Sequence, residues 1–190
     1  MGEDDPVIHD PVFDGDRVLL PGEAAAVPAR VLSAAAVRDA DPDAAPPEIR
    51  TLAGEIHFVP SVHQAGLRRF CEANGIPLRV RPDVWGDLLE PFHDTSFTHR
   101  ERMANLERLA AVGLDADETA RIRERVGPLV AAYNSAHWDW NHLGPADLLD
   151  AAFGTLVPEE LRIPPRERDA FRAWATGIAN RADGERPTTL

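Results

Sequence analysis

The stretch His137 to His142, HWDWNH, sets two histidines, two tryptophans, an aspartate and an asparagine side by side. A carboxylate and an imidazole three residues apart project from one face of a helix. Asp139 with His142 has that spacing, and so does Glu90 with His93. Two such acid-x-x-His pairs on two helices, joined by a carboxylate such as Glu124, form the ligand set of a divalent metal inside a four-helix bundle. A divalent metal at Glu90, His93, Asp139 and His142 is therefore the cofactor these spacings offer. Three features weigh against it. Pro91 lies inside the first pair and interrupts a continuous helix. Thirty-two acids and seven histidines generate the spacing often by chance. The Asp139/His142 face is also opposite the apolar stripe of its helix, whereas bundle metals sit in the core. The favoured role for His142 is a hydrogen-bonded histidine close to a helix end.

Proton transfer is the second chemistry on offer. The run FHDTSFTH, from Phe92 to His99, puts His93 and Asp94 among Thr95, Ser96 and Thr98. His93, Asp94 and His137 are the candidate acid–base residues. Adjacent histidine and aspartate cannot orient one another as a catalytic triad requires, and no G-x-S-x-G turn is present, so acyl transfer is not expected. Helix caps and a sharp reversal account for most of the hydroxyls in this run. His57 and His63 flank a strand-to-helix junction, where helix amides can hold an anion, but no glycine-rich phosphate loop accompanies them. Cys71 reads as a buried, inert thiol. Arg79 and Arg81 share one strand face and are expected to pair with nearby acids.

Recognition is the third. On a helix continued to residue 142, Trp140 falls on the buried stripe. Trp138 points elsewhere, beside Asp139, Asn141 and His142. These four form the candidate binding patch, in which an exposed tryptophan is a natural anchor for a partner or ligand. Burial of the segment on two faces is the favoured alternative.

These residues need elements to position them. Residues 1–50 read as an N-terminal arm: PVFDGDRVLLPG makes a hairpin turning at Gly15, and RDADPDAAPPEIR, acidic and proline-rich, makes a linker. Residues 51–180 read as one α+β domain and 181–190 as a frayed tail. EIHFV (55–59) and IPLRVR (76–81) are strands around a helix opened by a Ser61/Gln64 capping box and closed by Asn74-Gly75, a β-α-β unit. Asp83 caps the next helix, which Pro91 ends. Thr98 with Glu101 and Asp115 with Glu118 make two further capping boxes. The helix after Asp115 carries the longest apolar stripe: Ile122, Val126, Leu129, Tyr133, Ala136 and Trp140 lie within about 40° of one line. Pro128 lies inside that stripe. Gly144-Pro145 then stops one helix and starts another, followed by a last one carrying Phe171, Trp174 and Ile178.

Composition bounds the partners. The 190 residues carry 32 acids against 20 bases, a net charge of −12, and every base is arginine. Such a field repels phosphate backbones and anionic lipid, so neither nucleic acid nor membrane is an expected partner, whereas a basic protein is drawn to it. No apolar run approaches the roughly 20 residues of a membrane span. MGEDDPVIHD lacks the basic and apolar stretches of a leader, and the single cysteine excludes an internal disulfide, so the expected location is cytoplasmic.

The expected fold is α+β, with a small β-α-β and hairpin N-terminal half packed on a mostly helical C-terminal half. The expected function is an acidic, soluble binding or accessory protein, of the immunity, antitoxin or regulator kind. It would engage a protein partner or small molecule through the aromatic and histidine patch. The alternative is a small enzyme with a His/Asp pocket, metal-dependent or not, in which His93, Asp94, His137, Asp139 and His142 converge around one concavity.

Overall fold

The computed structural model describes residues 10–21, 30–93, 98–137 and 142–183. The chain is α+β and divides into two compact units, 1–81 and 82–190.

The first unit holds two three-stranded antiparallel sheets. In one, β1 (Val12–Asp14), β2 (Arg17–Leu20) and β3 (Arg30–Ser33) pair in sequence order. The expected hairpin is there, and Gly15 turns it at φ 55°, a left-handed conformation that costs glycine little. Phe13, Val18 and Leu32 lie opposite one another across this sheet on its core side. Val12, Leu19 and Val31 make the matching row on the other face.

The second sheet is β4 (Val37–Asp41), β5 (Glu48–Thr51) and β6 (Ile56–Phe58). The acidic, proline-rich stretch expected as a linker is thus two paired strands with a turn between them, and the first unit continues to Arg81. The reason is pairing across the sheet: Asp39 lies opposite Arg50, and Ala40 opposite the fully buried Ile49. Glu48 and Arg50, both buried, pair at 2.7 Å, and Arg81 reaches Asp39 at 2.8 Å. Charges that look like a solvated linker in one dimension neutralise each other here.

Helix α1 (Gln64–Asn74) follows a 3-10 turn at Ser61–His63 and closes at Gly75. The Ser61/Gln64 capping box does not form; Gln64 instead donates to Asp43 on the β4–β5 turn, as Arg68 does. Beyond Gly75 the expected strand is reduced to one parallel bridge, Leu78 to Ala40, and Val80 is exposed. The link from β6 through α1 therefore crosses to the far side of β4. Leu67, Phe70 and Cys71 of α1 join Val18, Ile49 and Val59 in one core.

The second unit contains α2 (Val84–Leu89), α3 (His99–Ala111), α4 (Ala116–His137), α5 (Pro145–Phe153) and α6 (Arg168–Ala179). Asp83 caps α2, Thr98 and Glu101 form the expected capping box on α3, and the Asp115 carboxylate accepts the Glu118 amide at 2.7 Å. The Glu118 side chain turns to Arg181 rather than back to its cap. The α4 stripe is buried at Ile122, Val126, Leu129 and Tyr133 but exposed at Ala136, and α4 runs on through Pro128. Trp140 lies outside the described residues. Trp85, 1% exposed, donates from Nε1 to the Ala175 carbonyl and packs edge-on against Trp174, tying α2 to α6. Among the described residues, no helix is long and apolar enough to cross a membrane.

Candidate functional site

Helix α2 is short, and its two sides are chemically opposite. Val84, Trp85, Leu88 and Leu89 are buried. Asp83, Asp87 and Glu90, spaced four and three residues apart, line up on the other side, with His93 three residues further on. This acidic side borders a cleft of about 680 Å³, which Arg108, Ala111 and Val112 of α3 and His142 also line.

Asp83 does two jobs. Its Oδ1 accepts the Gly86 amide at 2.8 Å, capping α2, and its Oδ2 stands 3.1 Å from His142 Nε2. Gly86 makes this arrangement possible. A β-carbon there would collide with the Asp83 carboxylate and lie 2.9 Å from His142 Cε1. Glycine inside a helix costs about 1 kcal/mol relative to alanine, and here that cost admits the aspartate and the imidazole to the same spot.

Arg108 spans the middle of the acidic row. Nε donates to Asp87 Oδ1 at 2.7 Å and Nη2 to Glu90 Oε2 at 2.8 Å. Burial pushes the Asp87 carboxyl above its ordinary range, and the Arg108 hydrogen bond pulls it only part of the way back. The same hydrogen bond, more than any other cause, holds the Arg108 guanidinium above its ordinary value.

Behind the cleft, two polar side chains fix α2 by its carbonyls. Asn105, fully buried, donates to Asp87 O at 2.7 Å and to Glu90 Oε2 at 2.6 Å. Arg123 donates to Leu88 O at 2.9 Å, Asp87 O at 3.0 Å and Asn105 Oδ1 at 2.7 Å. Carbonyls at a helix C-terminus lack helical partners and carry partial negative charge, so a guanidinium is a fitting cap. Burial lowers the Arg123 pKa from its ordinary value.

At the far end, His93 follows a 3-10 turn at Glu90–Phe92. Its Nε2 accepts the Leu143 amide at 2.6 Å. In the neutral ring this assigns the proton to Nδ1. The His93 and His142 rings stand 6.2 Å apart between centroids. Three carboxylates against one guanidinium leave the lining two negative charges when both imidazoles are neutral.

Of the residues singled out from sequence, the structure brings Glu90, His93 and His142 to this one cleft. Asp94, Trp138, Asp139 and Asn141 lie outside the described residues, as does the His137 side chain at the end of α4. The metal reading finds no support: among the described residues, no three His, Cys, Asp or Glu side chains are grouped to hold a metal ion. Glu90 is bonded to Arg108 and Asn105 and His93 to Leu143, and His142 Nε2 lies 3.1 Å from Asp83 Oδ2. Away from the cleft, His63 meets Asp10 at 3.0 Å and His57 meets Glu55 at 3.5 Å. Cys71 is buried, and its thiol is pushed up to about 11 by that burial.

Asp83, Asp87, Gly86 and Arg108 were missed as a group. The four-three spacing of the acids opposite VW–LL was the available signal, together with a glycine inside an otherwise good helix. Arg108 carries no such mark, because its partners come from another helix. Comparison with protein-family models, curated proteins and solved structures gave no match.

Proposed function

We propose that this chain is a binding protein whose acidic cleft receives a cationic group, either a small organic amine or a basic side chain of a partner. The observation that carries this reading is the cleft lining itself: three carboxylates answered by a single arginine, beside a wall of Pro82, Ala111 and Val112. A volume of about 680 Å³ is in the range of small-molecule sites. The net charge of −12 raises the local concentration of any cation before it docks. Among the described residues lining the cleft there is no Ser, Thr, Cys, Lys or Tyr to act as a nucleophile.

Calorimetric titration of the whole chain at pH 7.5 with spermidine, agmatine and, as an anionic control, glutarate tests this. Binding of either cation, weakened at least tenfold by Asp83→Asn with Glu90→Gln and absent for glutarate, is the expected result. No heat and no amide shifts around the cleft with either cation would remove the reading.

A second reading, a small enzyme, rests on the imidazole of His142 standing 3.1 Å from the Asp83 carboxylate, a pairing that suits a general base acting on water. Turnover of a cationic ester, lost in His142→Gln, would put this reading first; no turnover would leave the binding protein.

A further inference from the structure

Two histidines hold one short segment at the rim of the cleft. His142 reaches Asp83 through Nε2, and the amide of the next residue, Leu143, is bound by His93 Nε2 at 2.6 Å. The side chain of Leu143 is fully buried, so this amide has little access to water as a substitute acceptor. An imidazole accepts a hydrogen bond only through an unprotonated nitrogen; an imidazolium carries N–H on both sides and is a donor only. Histidine is also the side chain that changes charge between pH 5 and 8.

We propose that His93 and His142 make cation uptake by the cleft proton-dependent, with His93 in its neutral form as the latch that holds Leu143. This rests on the reading of the cleft as a cation site and adds its regulation. The step is simple: a solvent proton binds His93 Nε2, the hydrogen bond from Leu143 N–H breaks, and no other bond changes. Among the described residues, the charged groups near the pair come from four helices and the turn after the first. Asp83, Asp87 and Glu90 come from α2 and the turn after it, and Arg108 from α3. Arg123 of α4 is turned to the α2 carbonyls, and Asp147 of α5 to the Gly144 amide at 2.8 Å. Two imidazolium ions cancel the two negative charges of the lining, which weakens cation binding roughly tenfold at these separations in a wet cleft.

The test uses the whole ¹⁵N-labelled chain between pH 5.0 and 8.0, with spermidine as the probe cation. The Leu143 amide signal is expected to titrate with the same midpoint as the His93 ring signals, without ligand present. Spermidine is expected to bind about tenfold more weakly at pH 5.0 than at pH 7.5. In His93→Gln, whose side-chain oxygen keeps an acceptor near Leu143, the amide no longer titrates and the pH dependence of binding shrinks. A Leu143 amide that ignores the His93 titration overturns the latch, as does equal affinity at the two pH values. Absence of spermidine binding at both pH values instead overturns the cation reading, and the ligand-free amide titration still judges His93.

Discussion

Arg123→Met tests how the cleft is held in shape. The methionine keeps the length and apolar stem of the side chain but removes three hydrogen bonds, to the Leu88 and Asp87 carbonyls and to Asn105 Oδ1. A bond from a charged donor is worth about 1.5–3 kcal/mol, and leaving a buried acceptor unpaired costs about 1–3 kcal/mol. Against this, the half-buried guanidinium no longer has to be desolvated, a cost visible in its lowered pKa. The balance is an expected loss of about 2–4 kcal/mol, a large share of the 5–15 kcal/mol of an ordinary domain. Urea unfolding followed by tryptophan fluorescence is the assay, because Trp85, Trp138, Trp140 and Trp174 all fall in the second unit. The midpoint should fall with no change in slope. Asn105→Ala should cost a similar amount, and the double variant about 1 kcal/mol or more below the sum, since the two side chains share one network. A loss below about 0.5 kcal/mol for Arg123→Met, or strict additivity with Asn105→Ala, would refute the reasoning that this network holds α2 in place.

Three further outcomes follow from the same geometry. Gly86→Ala should leave stability within about 1 kcal/mol, because the gain in helix propensity offsets a disturbed cap, yet displace His142 from Asp83, seen as a changed His142 ring shift. Thr98→Ala removes the α3 capping box and should cost about 1 kcal/mol in thermal unfolding; no change would mean that α3 is held by packing alone. The Cys71 thiol ordinarily titrates at 9.0 and is pushed by burial to about 11, so between these values the folded state holds a proton that the unfolded chain has lost. Stability should therefore fall by about 2–3 kcal/mol as pH rises through that window, and Cys71→Ala should abolish this part of the slope.

Local signals in this chain were legible. The Asp83, Thr98 and Asp115 caps, the turn at Gly15, the helix start at Gly144-Pro145 and the α4 stripe from Ile122 to Tyr133 all appear where the residue types place them. Each is an interaction among neighbours within about four residues, so its energy can be counted from adjacent letters. Where local rules competed with pairing, pairing won. RDADPDAAPPEIR has the composition of a linker, yet Asp39 faces Arg50 across two strands, and residues 39–42 and 47–50 are buried. IPLRVR has the alternation of a strand, yet it keeps one bridge.

The candidate site divides along the same line. Residue types and spacing alone marked His93, Glu90 and His142 as capable of chemistry, and the acidic row on α2 was there to be read. That His93 and His142 come together, that Arg108 pairs with the Asp87 and Glu90 carboxylates, and that a backbone amide takes up the His93 lone pair were decided by tertiary structure. These contacts join residues 18 to 59 positions apart, from Arg108–Glu90 to Asp83–His142. Their strength depends on how much water the packed helices leave between them, which is a property of the fold.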